Sequence, residues 1–187
     1  FSPQAIGNTA LAFSRFGIKD EQLFSGLLQQ LDKRFAEFSD QAIANSLWAS
    51  AELGFKEEQL LRSIAARLPS RLPEFTAQAL ANTAWAFAVL GIKDEQLFKA
   101  ISAVALSPGK LAQFTDQALV NLLYAFAVLK LHDPKLFDAV CAAILPRVAS
   151  LVPQAFCILA WSLQARLHYR QVIYKAIIAR VNSDDKL

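Results

Sequence analysis

The sequence predicts an all-α protein, a right-handed α-solenoid of five antiparallel helix pairs with a period of about 37 residues, and three observations predict it. A segment reading Phe-Thr-Ala-Gln-Ala-Leu-Ala-Asn-Thr-Ala-Trp-Ala-Phe-Ala-Val-Leu-Gly over 75–91 returns at 1–17, 38–54, 114–130 and, more loosely, 151–167. Its glutamines, Gln4, Gln41, Gln78, Gln117 and Gln154, are separated by 37, 37, 39 and 37 residues, and Asn8, Asn45, Asn82 and Asn121 follow at a constant offset of four. The segment after each unit repeats as well: Ile18–Phe24 returns word for word at Ile92–Phe98. A period of 20–50 residues marks a stacked repeat architecture. The copies are 1–37, 38–74, 75–113, 114–150 and 151–181, with a polar tail over 182–187.

Each copy divides into a helix A and a helix B. Ser2, Ser39, Thr76 and Thr115 stand before helix A as N-caps, their hydroxyls placed to accept a first-turn backbone N–H. Pro3 and Pro153 suit the first helical position. Gly17, Gly54 and Gly91 close the helix, where the left-handed conformation costs glycine nothing. Ile6, Ala10, Phe13 and Phe16 recur at helical spacing as its apolar face. Phe13, Phe87 and Phe126 are expected in the core between the helix layers.

Helix B starts at Asp20, Glu57, Asp94 and Asp133, whose charge complements the helix N-terminus. Leu23, Phe24, Leu27 and Leu31 give it an apolar stripe. Breaks fall between B and the next A: Pro69 and Pro73, Ser107-Pro108-Gly109, Pro146 and Pro153. A single pair of this size cannot bury its apolar side, but stacked pairs can. The fifth copy is degraded, with Ile158 at the asparagine position and Leu167 at the glycine position, as in a terminal or capping repeat.

Composition narrows the function classes. Hydrophobic residues make up 55% of 187, enough for a continuous core, yet no run of 18 apolar residues predicts a membrane span. Net charge is only +3, so nucleic-acid binding would have to rest on where the cations stand. Cys141 and Cys157 fall on apolar faces of separate helices and read as reduced core cysteines. The chain opens at Phe1, on a repeat boundary and without Met, and so reads as a portion of something longer.

The two stretches Gln-Ala-Ile-Ala-Asn-Ser-Leu-Trp-Ala (41–49) and Gln-Ala-Leu-Ala-Asn-Thr-Ala-Trp-Ala-Phe-Ala-Val-Leu-Gly (78–91) resemble the heptatricopeptide repeats and the related octotricopeptide repeats. The resemblance covers the whole chain in five copies. It implies an organellar RNA-binding protein, in the mitochondrion or plastid, acting in RNA processing, stability or translation or built into a ribosome. Such proteins often end in a RAP domain.

At roughly 100° per residue, one side of successive A helices reads Gln41-Asn45-Trp48, Gln78-Asn82-Trp85 and Gln117-Asn121-Tyr124. Two readings stand. The stripe can face single-stranded RNA, rings stacking on bases and amides bonding base edges or backbone, at about one nucleotide per repeat. Or it can be an amide ladder tying neighbouring helices, with Trp48, Trp85 and Trp161 filling gaps. An unchanging amide pair cannot discriminate bases, so any code would use variable positions: Pro3, Asp40, Ala77 and Asp116, or Gly7, Ala44, Ala81 and Val120.

A second column, Arg34, Arg71, Lys110 and Arg147, puts one cation in each B-to-A linker, as contact with a phosphate backbone would require. Lys19, Lys56, Lys93 and His132 line the opposite turn beside helix-B acids. The sequence offers no nucleophile motif, phosphate loop or metal-ligand spacing, so neither enzyme activity, cofactor, metal nor small-molecule substrate is expected. The expected partners are single-stranded RNA and proteins of a ribonucleoprotein assembly. The alternative is a structural or protein-binding scaffold, such as a peripheral subunit of an organellar ribosome.

Overall fold

The computed structural model describes residues 1–164 and, beyond them, Gln171, Lys175 and Ile178, all three helical. The described residues form α1 (Pro3–Arg15), α2 (Glu21–Lys33), α3 (Asp40–Leu53), α4 (Glu58–Arg67), α5 (Ala77–Val89), α6 (Glu95–Ala105), α7 (Asp116–Val128), α8 (Pro134–Ile144) and α9 (Pro153–Gln164), with no strand among them. Odd-numbered helices are the A helices and even-numbered ones the B helices. Four complete pairs and the first helix of a fifth are thus in place. The polar tail and most of the fifth helix B lie outside the described residues.

Capping follows the repeat. Ser2, Ser39, Thr76 and Thr115 accept from the amides of Ala5, Ala42, Ala79 and Ala118 at 3.1–3.2 Å. Asp20, Asp94 and Asp133 do the same for Leu23, Leu97 and Leu136 at 2.9–3.0 Å. Glu57 is the exception and makes no side-chain cap bond, its backbone (φ −85°, ψ 83°) departing from the extended setting of Asp20 and Asp94.

Helix A ends in a left-handed residue: Gly17, Gly54 and Gly91 at φ 65°, 75° and 67°. The residue after each donates back to a carbonyl five positions earlier, Ile18 to Phe13, Phe55 to Ser50 and Ile92 to Phe87, which closes the helix end. The fourth copy keeps this geometry with Lys130 at φ 54°, a conformation that costs a residue with a Cβ more than it costs glycine. The linkers are not irregular. They wind into short 3-10 turns, among them Phe35–Glu37, Leu72–Glu74 and Leu111–Gln113, whose apolar residues Phe35 and Leu72 are buried.

Each A helix packs against the next, α1 on α3, α3 on α5, α5 on α7 and α7 on α9, more closely than the B helices pack on one another. Small residues permit this. A Cβ added to Gly7 would stand 3.0 Å from the Cα of Ala42, and Ala44 and Ala81 are buried at the equivalent places in later copies. The core lies between the layers and is rich in phenylalanine: Phe24, Phe38, Phe75, Phe87, Phe98 and Phe137 are fully buried, each worth about 1.5–3 kcal/mol. Phe98 meets Phe126 edge-on at 5.1 Å.

Three expectations fail at the ends of the array. Phe16 is 78% exposed and Phe13 only half-buried, on the side of α1 turned away from α3. Cys157 is exposed although Cys141 is buried; it lies on the side of α9 that the next A helix covers in earlier copies.

Candidate nucleic-acid interface

The amide–aromatic stripe is brought together as a ridge along the A layer. Gln41, Gln78 and Gln117 are exposed, while Asn45, Asn82, Asn121, Trp48, Trp85 and Tyr124 are half-buried. In three copies the amide pair closes on itself within one helix: Gln4, Gln78 and Gln117 donate through Nε2 to Oδ1 of Asn8, Asn82 and Asn121, at 3.2, 2.8 and 2.8 Å. These bonds run along the helix, so they do not form the rungs of a ladder between helices. Each leaves a glutamine carbonyl and an asparagine NH2 group side by side.

The aromatic rings make the link between repeats instead. Trp48 stacks on Trp85 with centroids 6.0 Å apart, and Tyr124 meets Trp161 at 5.5 Å. Trp161 extends the row by one helix and was legible from its place seven residues after Gln154. Four aromatic side chains from α3 to α9 thus form one edge, arranged as two pairs.

Of the positions expected to vary the base specificity, Pro3, Asp40 and Asp116 are half-buried and the rest are buried. Ala44, Ala81 and Val120 are buried against the next A helix, and Gly7 is pressed on Ala42. Their offset of three from the glutamine turns them into the helix contact rather than the ridge. Ala77 is buried too, Asp40 accepts the amide of Thr76 at 3.2 Å, and Asp116 pairs with Arg147 at 2.7 Å.

The linker cations share a structural task. Arg34, Arg71 and Lys110 donate to the backbone carbonyls of Phe1, Phe38 and Phe75, at 3.2, 3.2 and 2.6 Å, each bonding its linker to the start of its own copy. Arg147 bonds the carbonyl of Ala143 and pairs with Asp116. Three of the four face an acid: Glu37 lies 2.6 Å from Arg34, Glu74 3.2 Å from Arg71, and Asp116 beside Arg147. The hydrogen bond from Arg34 holds the Glu37 carboxyl below its ordinary range. Lys110 is bonded to a neutral carbonyl, which leaves its charge to act on a ligand.

At the opposite turn, Lys93, Lys99, Lys130 and His132 line a cavity of about 300 Å3 together with the acids Glu95 and Asp133 and the apolar Phe98, Phe126 and Leu131. Of these, Lys99 and Lys130 escaped the sequence reading, although Lys130 stands where other copies have glycine. Among the described residues no group of three His, Cys, Asp or Glu gathers to hold a metal, and no helix is long and apolar enough to cross a membrane.

The family model of the RNA-editing substrate-binding complex 6 protein matches residues 4–172, a span that takes in every register glutamine from Gln4 to Gln154. A search of curated proteins finds no match. The match corrects the likeness to heptatricopeptide and octotricopeptide repeats, and with it the plastid and ribosomal readings. Any stacked helix pairs of this length bury their apolar sides against one another, so the period alone could not separate the families. What survives is an organellar RNA-binding helical protein, from a family with no known catalytic role. The chain belongs to the RNA-editing substrate-binding complex 6 protein family, whose complex acts in the mitochondrion.

Proposed function

We propose that the ridge of the A layer binds single-stranded RNA, at about one nucleotide per repeat, as the chain's contribution to an RNA-editing substrate-binding assembly in the mitochondrion. The observation that carries this reading is that the amides bond within their own helices and stay accessible. Beside them stand half-exposed rings on four successive A helices, set as two pairs. Bases stack on such rings whatever their identity, each contact being worth about 1–3 kcal/mol. The glutamine carbonyl and asparagine NH2 group offer an acceptor next to a donor, a pattern that the edges of all four bases can meet. The site therefore holds Gln41, Asn45, Trp48, Gln78, Asn82, Trp85, Gln117, Asn121 and Tyr124 against bases. Arg34, Arg71, Lys110 and Arg147 stand towards phosphates, with Lys110 contributing most.

The ridge suits general rather than sequence-selective binding, because Gly7, Ala44, Ala77, Ala81 and Val120 are buried and Asp40 and Asp116 are engaged by Thr76 and Arg147. Selection among RNAs would then come from other subunits of the complex, which are the expected protein partners. The test is a titration of fluorescent single-stranded RNAs of differing sequence against the chain and its Asn82→Ala and Trp85→Ala variants. Similar affinities across sequences, weakened by both substitutions, are expected, with no change in melting temperature for Asn82→Ala, whose bond to Gln78 lies within one helix. If the unaltered chain binds no RNA at low salt, the ridge is a scaffold surface and the reading fails.

A further inference from the structure

The turns that join each helix A to its helix B leave a groove between successive copies, and its charge changes along the array. Between the first two copies the groove encloses about 590 Å3, with Lys19 and Lys56 set against Glu21 and Glu57. Those charges balance. Between the third and fourth copies it encloses about 300 Å3, and Lys93, Lys99 and Lys130 outnumber Glu95 and Asp133, with His132 beside them. Two of these cations are departures from the repeat. Lys99 stands where the first copy has Ser25, and Lys130 where earlier copies have Gly17, Gly54 and Gly91.

Each departure works against the fold. Lys130 holds the left-handed backbone, φ 54°, that a Cβ disfavours. It also brings one cation up to another. A Cβ built on Gly91 would lie 3.9 Å from Nζ of Lys56, and Lys130 and Lys93 hold those two places one copy on. Arg62 pairs with Glu58 at 2.8 Å, whereas Lys99 and Glu95, in the same places, form no ion pair among the described residues. Neither do Lys93 and Lys130. Asp133 is engaged elsewhere: it accepts the amide of Leu136 at 3.0 Å and the hydroxyl of Ser102 at 2.5 Å. Phe98 and Phe126 in the cavity wall are buried, and a low-dielectric wall strengthens the field of the cations beside it.

We infer that this cavity binds a phosphate monoester, carried by the end of an RNA strand or by a free nucleotide. Such a group brings a charge of about −1.5 to −2 at neutral pH and three acceptor oxygens. Lysine meets phosphate as a point charge, so no fixed fork of donors is needed. One dianion offsets the repulsion between Lys93 and Lys130 and gives Lys99 the partner that Arg62 has in Glu58. The cations converge on one cavity instead of following the array, which suits a terminal group better than the diesters of a strand passing by. The site shares no residue with the ridge of the A layer.

The experiment is calorimetric titration of the chain at fixed salt with a nucleoside 5′-monophosphate, its nucleoside, and one short single-stranded RNA bearing a 5′-phosphate, a 3′-phosphate or hydroxyls at both ends. The variants are Lys130→Gly and Lys99→Ser, which restore residues of other copies, and Lys33→Ala, the same charge change at an exposed position on α2. Phosphorylated probes should bind more tightly than their hydroxyl counterparts. Lys130→Gly and Lys99→Ser should each weaken them about tenfold, the worth of one hydrogen bond to a charged group, and Lys33→Ala should not. Lys130→Gly should also raise the melting temperature, so its loss of affinity does not come from misfolding. A nucleotide that binds as well as the phosphorylated strand marks the free nucleotide as the ligand, and a much tighter strand marks the chain end. Hydroxyl-ended RNA that binds as tightly as phosphorylated RNA, with no binding of the nucleotide, overturns the inference and leaves the ridge reading standing. A phosphate preference that survives both substitutions, or displacement of the nucleotide by a glutamate-rich peptide at equal concentration, overturns it as well.

Discussion

Trp48 on α3 and Trp85 on α5 stack across two successive repeats, centroids 6.0 Å apart and planes inclined by 29°. Both rings are half-buried, so each keeps a surface towards solvent. A base that stacks on this pair changes the surroundings of two fluorophores at once. Adding single-stranded RNA should therefore shift or quench the tryptophan emission. Trp85→Ala should weaken binding by about 1–3 kcal/mol, the usual worth of one base–aromatic stack. Emission that is unmoved by saturating RNA would place the RNA elsewhere.

The linker cations differ in their remaining charge, and salt separates them. Each phosphate contact on a single strand adds about 0.7 to the slope of log affinity against log salt. Lys110 bonds the carbonyl of Phe75, whereas Arg71 lies against Glu74 as well as the carbonyl of Phe38. Lys110→Ala should flatten the slope by close to the full amount, and Arg71→Ala by less. Both should lower the melting temperature, since both remove a bond between a linker and the start of its copy. Equal slopes for all three proteins would confine these cations to the structural task.

Core substitutions test the layer assignment. Phe87 is buried between the layers, and Phe87→Ala should cost about 3–5 kcal/mol in denaturant unfolding. Phe13→Ala should cost less, because its ring is half-exposed at the open end. Thr83 is a different case: its Oγ1 is buried without a hydrogen-bond partner, while Leu122 and Leu159 occupy the same register. Thr83→Val should stabilise the chain by up to about 1 kcal/mol, as a buried hydroxyl is no longer desolvated unpaired.

The two cysteines should separate under thiol reagents and under pH. Cys157 is exposed and should react in the folded chain, whereas buried Cys141 should not. Burial, with Asp138 adding to it, pushes the Cys141 thiol from its ordinary 9.0 up to about 12. The folded state then keeps a proton that the unfolded chain releases. Stability should fall as pH rises from about 9 towards 12, by at most about 1.4 kcal/mol per unit from this group. Unfolding curves across that window, in a Cys157→Ser background, should show a slope that Cys141→Ala reduces.

Local chemistry wrote much of the molecule into the sequence. Ser39 and Thr76 cap because a hydroxyl before a helix finds the N–H two or three residues on, and Gly54 closes α3 because only a residue without a Cβ takes its conformation freely. The register of Gln4 through Gln154 specified stacked pairs because identical units can bury their apolar sides only against one another. Tertiary structure decided which side of each A helix meets its neighbour. That choice depends on how closely two helices approach, so it put Ala81 into a contact, left Asn82 on a ridge and exposed Phe16, although all three lie within the same periodic pattern. It also gave the carbonyls of Phe1, Phe38 and Phe75 to the linker cations, partners 33 to 35 residues away that no local spacing could reveal.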